Sequence, residues 1–198
     1  MKQLLRDQRK EQIMSAALNV ISSKGYEQSR MDDIVLESDL SKGAIYWYYK
    51  SKKEVYLSLV DHWVLEYSSG MFEALDKTQS ASGKLKRLFK FFSNQFKTNP
   101  TTFKVLVEFW RMASLDNSFN KKLQHVYLDF QDYLIEIIDL GIKNGEFKKV
   151  NPRITALSIL INIEGIHWFT LFDKSGVQAQ EYVDTITSFI INGLKKKV

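Results

Sequence analysis

Apolar residues recur along this chain with the period of an α-helix. One face of the first amphipathic stretch carries Ile13, Ala16, Ala17, Val20 and Ile21. Gly25 follows as a left-handed helix stop. The helical period continues beyond residue 50 in longer stretches, and only two prolines and no low-complexity segment interrupt it. The pattern therefore predicts an all-α protein of about nine helices.

A short second helix is predicted after the stop at Gly25. Ser29 and Asp32 have the spacing of a capping box, which places this helix between about residues 30 and 38. Asp39 and Leu40 then form a turn. Ile34 and Val35 of this helix are predicted to face inward.

A third short helix begins at Ser41, which is a favourable N-cap, and ends near Tyr49. Ser51 and Glu54 form a second capping box, which starts a long fourth helix. Two short helices joined by a tight turn are typical of a helix-turn-helix, which inserts its second helix into the major groove of DNA. The sequence thus predicts a recognition helix from Ser41 to Tyr48.

The recognition helix has two different faces. Ile45 and Tyr49 are four residues apart and are predicted to pack on the first two helices. A helix this short cannot bury every side, which favours an outward position for its other side chains. The alternative is that its aromatic residues belong to a core and its lysines to a solvated surface. The predicted outward face carries Lys42, Ala44, Tyr46, Trp47 and Tyr48.

Several of these side chains have the chemistry of phosphate contacts, which fix the position of a protein on DNA. Lys42 and Lys52 offer ammonium groups, and Gly43 permits close approach of the backbone. Ser29 is either only an N-cap or also a DNA contact. Arg30 is likewise either a DNA contact or a surface charge.

The remaining outward residues have the chemistry of groove contacts. Ala44 and Tyr46 can contact thymine methyl groups or base edges. Trp47 and Tyr48 can pack on sugars while donating hydrogen bonds to phosphates. None of these roles requires catalysis.

Five more helices are predicted from breaks at Asn99-Pro100, Asn144-Gly145, Asn151-Pro152 and Ser175-Gly176. They run at roughly residues 83–98, 101–114, 118–143, 152–173 and 178–196. The chain then divides into a DNA-binding helix-turn-helix domain, residues 1–50, and a larger helical domain, residues 51–198.

Composition narrows the class of protein without identifying it. The net charge is +5, which favours a nucleic-acid partner only slightly. The absence of cysteine excludes disulfides and thiolate metal sites and fits the cytoplasm. The charged N-terminus does not resemble a secretory signal. Residues 154–172 approach the length of a membrane span, but Glu164 within them argues for a buried helix.

The N-terminal third resembles the DNA-binding domain of TetR-family (tetracycline-repressor-like) regulators. The resemblance is carried by Gly25-Tyr26, Ile34 and the run from Leu40 to Glu54, and covers about the first 60 residues. It implies a dimeric repressor of a near-palindromic DNA operator, with no cofactor and no membrane partner. The residues that match operator-contacting positions of the family are Ser29, Ser41, Lys42, Gly43, Ala44, Tyr46, Trp47, Tyr48 and Lys52. Individual base contacts stay open, because Tyr48 stands where histidine is common and Leu36-Glu37 where alanine is common.

The resemblance also implies that residues 51–198 form a regulatory, ligand-binding and dimerisation domain. A small-molecule inducer would occupy a cavity among its central helices and favour a conformation that releases DNA. Aromatic residues there suit a hydrophobic ligand, and a carboxylate beside aromatic rings would favour a cation. For each residue, core packing is the alternative, and for Glu164 an internal ion pair with His167. The predicted ligand-binding residues are Phe92, Phe96, Phe109, Trp110, Tyr127, Phe130, Glu164 and Trp168.

The last two helices are predicted to form the dimer interface as a four-helix bundle. The residues expected there are Ile159, Ile163, Ile166 and Phe169. An enzyme is disfavoured because His62, His125 and His167 lack the spacing of metal ligands. A helical ligand-binding or adaptor protein without DNA binding remains the alternative.

Overall fold

The computed structural model describes residues 2–75, 78–167 and 178–196, and most of these are helical. The helices are α1 (Lys2–Gln28), α2 (Met31–Ser38), α3 (Lys42–Tyr48), α4 (Lys52–Leu75), α5 (Ala81–Thr98), α6 (Pro100–Leu115), α7 (Asn117–Lys143), α8 (Pro152–Glu164) and α9 (Ala179–Leu194). Within the described ranges, β-pairing is limited to an isolated bridge between Phe147 and Lys195. The all-α prediction is confirmed.

The helix ends have local causes. The Ser41 hydroxyl accepts a hydrogen bond from the Ala44 amide, and the Asn151 side chain accepts one from the Ile154 amide, as their positions predicted. Ser80, which the sequence reading missed, caps α5 in the same way. The predicted helix over residues 152–173 is wrong in part, because α8 ends at Glu164 and a 3-10 turn, Gly165–His167, follows.

Two compact units make up the chain. Unit 1 comprises residues 1–66 and 104–124, and unit 2 comprises residues 67–103 and 125–198. These two units do not test the predicted boundary between a DNA-binding domain, residues 1–50, and a regulatory domain, residues 51–198, which stays a prediction. None of the described helices combines the length and the apolar composition needed to cross a bilayer.

The core of unit 1 joins α1, α2 and α3 to α4. Ile13, Ile34, Ile45 and Tyr56 are fully buried there. Gly25 has a φ of 70°, so the prediction of a positive φ at this position is correct, and it interrupts the regular helix of α1. Burial raises the pKa of Tyr56 to about 12, so its hydroxyl stays neutral at physiological pH.

The core of unit 2 is formed by α5, α7, α8 and α9. Leu85 and Phe89 of α5, Leu134 of α7 and Ile159 of α8 are among its most deeply buried side chains. The hydroxyl of the buried Ser93 donates to Gln180 Oε1 over 2.8 Å, which ties α5 to α9. Unit 2 therefore has a core of its own.

Glu146 caps the first turn of α5 from the loop after α7. Its carboxylate accepts hydrogen bonds from the amides of Ala81 and Ser82, at 2.9 and 3.1 Å, and from the Ser82 hydroxyl at 2.9 Å. Burial by itself would raise the pKa of Glu146, but these hydrogen bonds outweigh it and lower that pKa. The ionised carboxylate is thus the form that stabilises unit 2.

We expect Glu146→Gln to lower the free energy of unfolding by about 1–2 kcal/mol at neutral pH. The stabilisation is complete above the ordinary glutamate pKa and is lost as the pH falls through the lower folded-state pKa. Urea unfolding at pH 7 and at a series of pH values below the ordinary glutamate pKa measures both effects, and the stability of the variant should approach that of the wild type as the pH falls. Glu136→Gln, at an exposed position of α7, is the control and should be neutral. Equal effects of the two substitutions would contradict the capping role.

Candidate nucleic-acid interface

The α3 helix is held in place by the two residues that the sequence assigned to the core. Ile45 is fully buried and Tyr49 is nearly so. The Tyr49 hydroxyl lies 3.2 Å from the Ser58 hydroxyl of α4. With Ser41 capping its N-terminus, α3 is therefore fixed at both ends, and the predicted division of its faces is confirmed for its buried side.

The turn between α2 and α3 is fixed just as closely. Asp39 adopts the left-handed conformation, with φ 53° and ψ 19°, and ends α2. The Leu40 amide donates to the Ser38 hydroxyl, and Gln12 of α1 donates to the Ser38 carbonyl over 2.6 Å. These contacts set the direction in which α3 leaves α2.

The outer face of α3 is accessible. Trp47 is 64% exposed and packs edge-on against Tyr48, with 4.7 Å between ring centroids. Ala44 and Tyr46 are half-buried. A β-carbon added at Gly43 would meet nothing within 4 Å, so the first turn is open to close approach from outside. The structure thus brings together the predicted contact residues of α3.

Lys42 begins this face and is already paired. Its ammonium lies 2.7 Å from Asp32 Oδ1 of α2 and 5.9 Å from the centroid of the Tyr46 ring. The hydrogen bond to Asp32 and the charge of that residue raise the pKa of Lys42. A phosphate binding Lys42 must therefore compete with Asp32.

The capping box predicted at Ser29 and Asp32 is displaced by one residue. Asp33 Oδ2 accepts a hydrogen bond from the Arg30 amide over 2.7 Å, so Arg30 is the residue before α2. Ser29 is buried and its hydroxyl donates to the Tyr26 carbonyl. The N-cap assigned to Ser29 is therefore wrong, and its hydroxyl does not face solvent. The Arg30 side chain is exposed.

Lys52 does not have the position expected of a phosphate ligand. Its ammonium donates to the carbonyls of Tyr26, Glu27 and Ser29, at 2.6, 3.4 and 2.9 Å. It also lies 4.3 Å from the centroid of the Tyr26 ring. An ammonium has three N–H donors, and here all three have acceptors. In this structure Lys52 therefore holds the segment between α1 and α2, and its contact with a phosphate stays a prediction.

Other basic side chains of unit 1 are also neutralised internally. Lys24 pairs with Asp33 and Lys53 pairs with Asp116, at 2.7 and 2.6 Å. The hydrogen bonds from these lysines lower the pKa values of both carboxyl groups. A lysine in this part of the sequence therefore does not necessarily offer an unpaired positive charge to DNA.

The outer face of α3 adjoins the beginning of α1, which the sequence pattern did not predict. Leu5, Arg6 and Arg9 of α1 border a surface groove whose other residues come from Ser41 and α3. The available signal was the i, i+3 spacing of the two arginines on a helix that begins before Ile13.

Two of the predicted ligand-binding residues belong to unit 1. Phe109 is buried there and stacks on Phe119, with 6.5 Å between centroids. Trp110 follows it in the same segment. The neighbouring Glu108 accepts a hydrogen bond from the Tyr26 amide over 2.7 Å and pairs with Arg111, which lowers the pKa of Glu108. Phe109 is therefore a core residue of unit 1.

Four other predicted ligand-binding residues lie in unit 2 and are partly buried. Phe92 contacts Phe130 at 5.7 Å between centroids, and Phe96 contacts Phe103 at 5.4 Å. Tyr127 packs against the same core. Glu164 is half-buried at the end of α8, and Trp168 lies outside the described residues.

The predicted dimer residues are placed differently from what was expected. Ile159, Ile163 and Ile166 are at most 3% exposed and belong to the core of unit 2. Assigning them to a subunit interface is wrong, because their own chain covers them. Phe169 lies outside the described residues. The apolar residues that α8 does expose are Ile154, Leu157 and Ile161.

Comparison with known proteins agrees with this geometry. Residues 13–59 match the family model described as bacterial regulatory proteins, tetR family. The chain is 28% identical over 201 residues to the uncharacterized HTH-type transcriptional regulator YfiR of Bacillus subtilis (strain 168), covering 91% of this chain and 93% of that protein.

Two solved structures share the fold at 20% sequence identity. A putative transcriptional regulator from Saccharomonospora viridis, in complex with choline, superposes with a TM-score of 0.87 over 96% of this chain and 100% of that one. The regulator FadR from Bacillus subtilis, in complex with stearoyl-CoA, does so with a TM-score of 0.83 over 93% and 98%. Together with the capped α3 and its exposed outer face, these matches identify residues 13–59 as a helix-turn-helix domain of the tetR family, in a chain that is similar over most of its length to HTH-type transcriptional regulators.

Proposed function

We propose that this protein is a sequence-specific transcriptional repressor that binds a near-palindromic DNA operator as a homodimer in the cytoplasm. The observation that carries this proposal is the structure of α3. Its inner residues Ile45 and Tyr49 are buried, Trp47 is exposed on the opposite side, and Lys42 is exposed at the first turn. A rigidly anchored helix with an exposed aromatic and basic face matches the docking geometry of a helix-turn-helix.

The contacts divide between sequence readout and positioning. Ala44 and Tyr46 lie on the outer face of α3 and would contact base edges or thymine methyl groups. Lys42, Trp47 and Tyr48 would contact sugars and phosphates. Gly43 leaves room for the DNA backbone. The exposed Arg30 at the start of α2 is a further phosphate contact, while Ser29 and Lys52 support the domain from within.

Selection of bound genomic fragments tests the proposal directly. We expect one or a few fragments to be retained, each with two related half-sites in inverted order. The logarithm of the binding constant should fall linearly with the logarithm of salt concentration, since phosphate binding releases counterions. Retention of no fragment above background would contradict DNA binding and favour a helical ligand-binding or adaptor protein. A salt-independent complex would contradict the phosphate contacts.

The proposed dimer interface is the exposed apolar stripe of α8. Ile154, Leu157 and Ile161 have i, i+3 and i+7 spacing and are 46–64% exposed. Phe189 of α9 is 75% exposed. It lies two turns from Tyr182, whose hydroxyl donates to the Asn162 carbonyl of α8, so both residues occupy the side of α9 that adjoins α8. A second copy of the chain would cover this surface.

We expect the double substitution Leu157→Glu with Ile161→Glu to convert the dimer to a monomer at micromolar concentrations. Burying each apolar side chain contributes about 1.5–3 kcal/mol, and the substitution replaces that gain with the cost of burying charge. Sedimentation velocity measures the oligomeric state, and operator affinity should fall with dimer content. Leu115→Glu, at another exposed apolar position, is the control and should leave the oligomeric state unchanged. A double variant that remains dimeric would exclude this interface.

We also propose that a small hydrophobic ligand releases the protein from its operator. The partly buried aromatic residues Phe92, Phe96, Tyr127 and Phe130 of unit 2 support an apolar ligand. The structural relatives described above were solved with stearoyl-CoA and with choline. These four residues offer apolar area for an acyl chain, whereas the half-buried carboxylate of Glu164 at the end of α8 would favour a cation. Operator release by long-chain acyl-CoA, compared with choline and free CoA, tests this choice.

A further inference from the structure

A groove on unit 1 joins the beginning of α1 to the outer face of α3. It has a volume of about 670 Å³ and is open to solvent. One wall carries Leu5, Arg6 and Arg9 of α1, and the other consists of Ser41 and residues of α3 up to Tyr48. Because α3 forms one wall, anything bound to the proposed reading face would also cover this groove.

Arg6 is held over an aromatic ring in this groove. Its guanidinium carbon lies 5.6 Å from the ring centroid of Trp47. A cation above an aromatic ring is attracted by the ring face, and this contact uses none of the N–H donors of the guanidinium. The contact with Trp47 therefore orients Arg6 and leaves its N–H donors for another partner. It also gives Trp47 a defined neighbour despite its high exposure.

Arg9 lies three residues further along α1, on the same side of the helix. Both arginines are exposed. Among the described residues, neither has a carboxylate within 4.0 Å, in contrast to Lys24, Lys42 and Lys53. Two guanidinium groups without an acidic partner thus line a groove next to a face that is proposed to meet DNA.

We propose that Arg6 and Arg9 bind a phosphodiester of the DNA backbone adjacent to the bases contacted by α3. This inference rests on the proposed function and extends the DNA-binding surface to the start of α1. A guanidinium can bind two phosphate oxygens at once, and Trp47 holds that of Arg6 ready for such a contact. The contact adds affinity and fixes the register of α3, but it reads no base.

The test compares operator binding of the wild type and the double variant Arg6→Ala with Arg9→Ala by fluorescence anisotropy over a range of salt concentrations. We expect operator affinity to fall at least about 10-fold at physiological salt. The slope of the logarithm of the binding constant against the logarithm of salt concentration should become shallower by nearly two phosphate contacts, each of which contributes about 0.9 to the slope. The ratio of affinities for the operator and a base-substituted operator should stay within about 3-fold, since phosphate contacts carry no sequence information. The double variant Arg87→Ala with Lys90→Ala removes the same charge from exposed positions of α5 and should change neither quantity.

Two single variants test the same contacts in case the double variant is poorly folded. Arg9→Ala leaves the Arg6–Trp47 contact intact and should remove about one phosphate contact from the salt dependence. Arg6→Lys keeps the charge but loses the planar fork, so its affinity should lie between those of the wild type and Arg6→Ala.

The outcomes separate this inference from the proposed function. If the wild type binds its operator and the arginine variants bind it with unchanged affinity and salt dependence, the phosphodiester site is excluded and the proposed function stands. If the arginine variants lose discrimination between operator sequences, the two residues read bases and the proposal is also overturned. If the wild type retains no genomic fragment, both proposals fail.

Discussion

Replacing Lys42, Tyr46 and Trp47 together by alanine is expected to lower operator affinity at least about 100-fold. The base contact proposed for Tyr46 contributes about 1–3 kcal/mol, the sugar and phosphate contacts proposed for Lys42 and Trp47 add to it, and about 1.4 kcal/mol corresponds to a factor of ten in affinity. The three side chains lie on the outer face of α3, so the contacts of Ile45 and Tyr49 with the core remain. Fluorescence anisotropy with the selected operator measures the loss.

The triple variant should stay folded, which separates lost contacts from lost structure. Thermal unfolding followed by circular dichroism should show a midpoint within a few degrees of the wild type, since surface substitutions usually change stability by less than about 0.5 kcal/mol each. Leu115→Ala with Lys121→Ala removes an exposed apolar side chain and an exposed cation from the same unit and is the control. Unchanged operator binding by a folded triple variant would show that α3 is not the recognition helix.

Gly141→Ala is expected to destabilise unit 2 by about 2 kcal/mol or more. A β-carbon at Gly141 would lie 2.2 Å from Phe147 Cδ2 and 2.5 Å from Cε2, far inside van der Waals contact. The ring has little room to move, because Phe147 is only 2% exposed and its amide donates to the Gly141 carbonyl over 3.0 Å. For a chain of this size the midpoint of thermal unfolding should fall by roughly 4–8 °C.

Gly193 supplies a matched control for this substitution. It also lies in a helix, and an added β-carbon would meet nothing within 4 Å. Alanine has the higher helix propensity, so Gly193→Ala should be neutral or slightly stabilising. If both substitutions changed stability alike, helix propensity rather than the close approach of Phe147 would explain the result at Gly141.

Local sequence signals predicted much of unit 1. The cap at Ser41, the turn at Asp39 and the inward direction of Ile45 and Tyr49 depend on residues within a few positions of each other. Such short-range rules do not require knowledge of the rest of the chain. The reading helix could therefore be placed to within one residue.

Predictions that depended on distant partners did less well. Lys52 was expected to be free for phosphate, but its acceptors lie 23 to 26 residues earlier in the chain. Ser29 is likewise directed inward by the packing of its neighbours. Composition around a residue indicates which charges are present and not which of them are already paired.

The dimer interface shows a different reason for failure. Helical spacing on α8 correctly separates Ile159 and Ile163 from Ile154 and Ile161, but both sets are apolar. Periodicity alone does not tell which of two apolar faces the chain covers with its own core. Only the packing of α5, α7 and α9 shows that Ile159 and Ile163 are internal.

The internal pairing of basic side chains around α3 bears on how such a protein finds its site in a genome. Random DNA offers phosphates but no matching bases, and it competes with an operator through its abundance. Lys42 can bind a phosphate only by breaking its ion pair with Asp32, and the N–H donors of Lys52 are already hydrogen-bonded to three carbonyls. Non-specific sequences therefore gain less from this surface than its formal charge implies. Because an operator offers the same phosphates, the difference in affinity between the two kinds of DNA would depend on the proposed groove contacts of α3 rather than on these lysines.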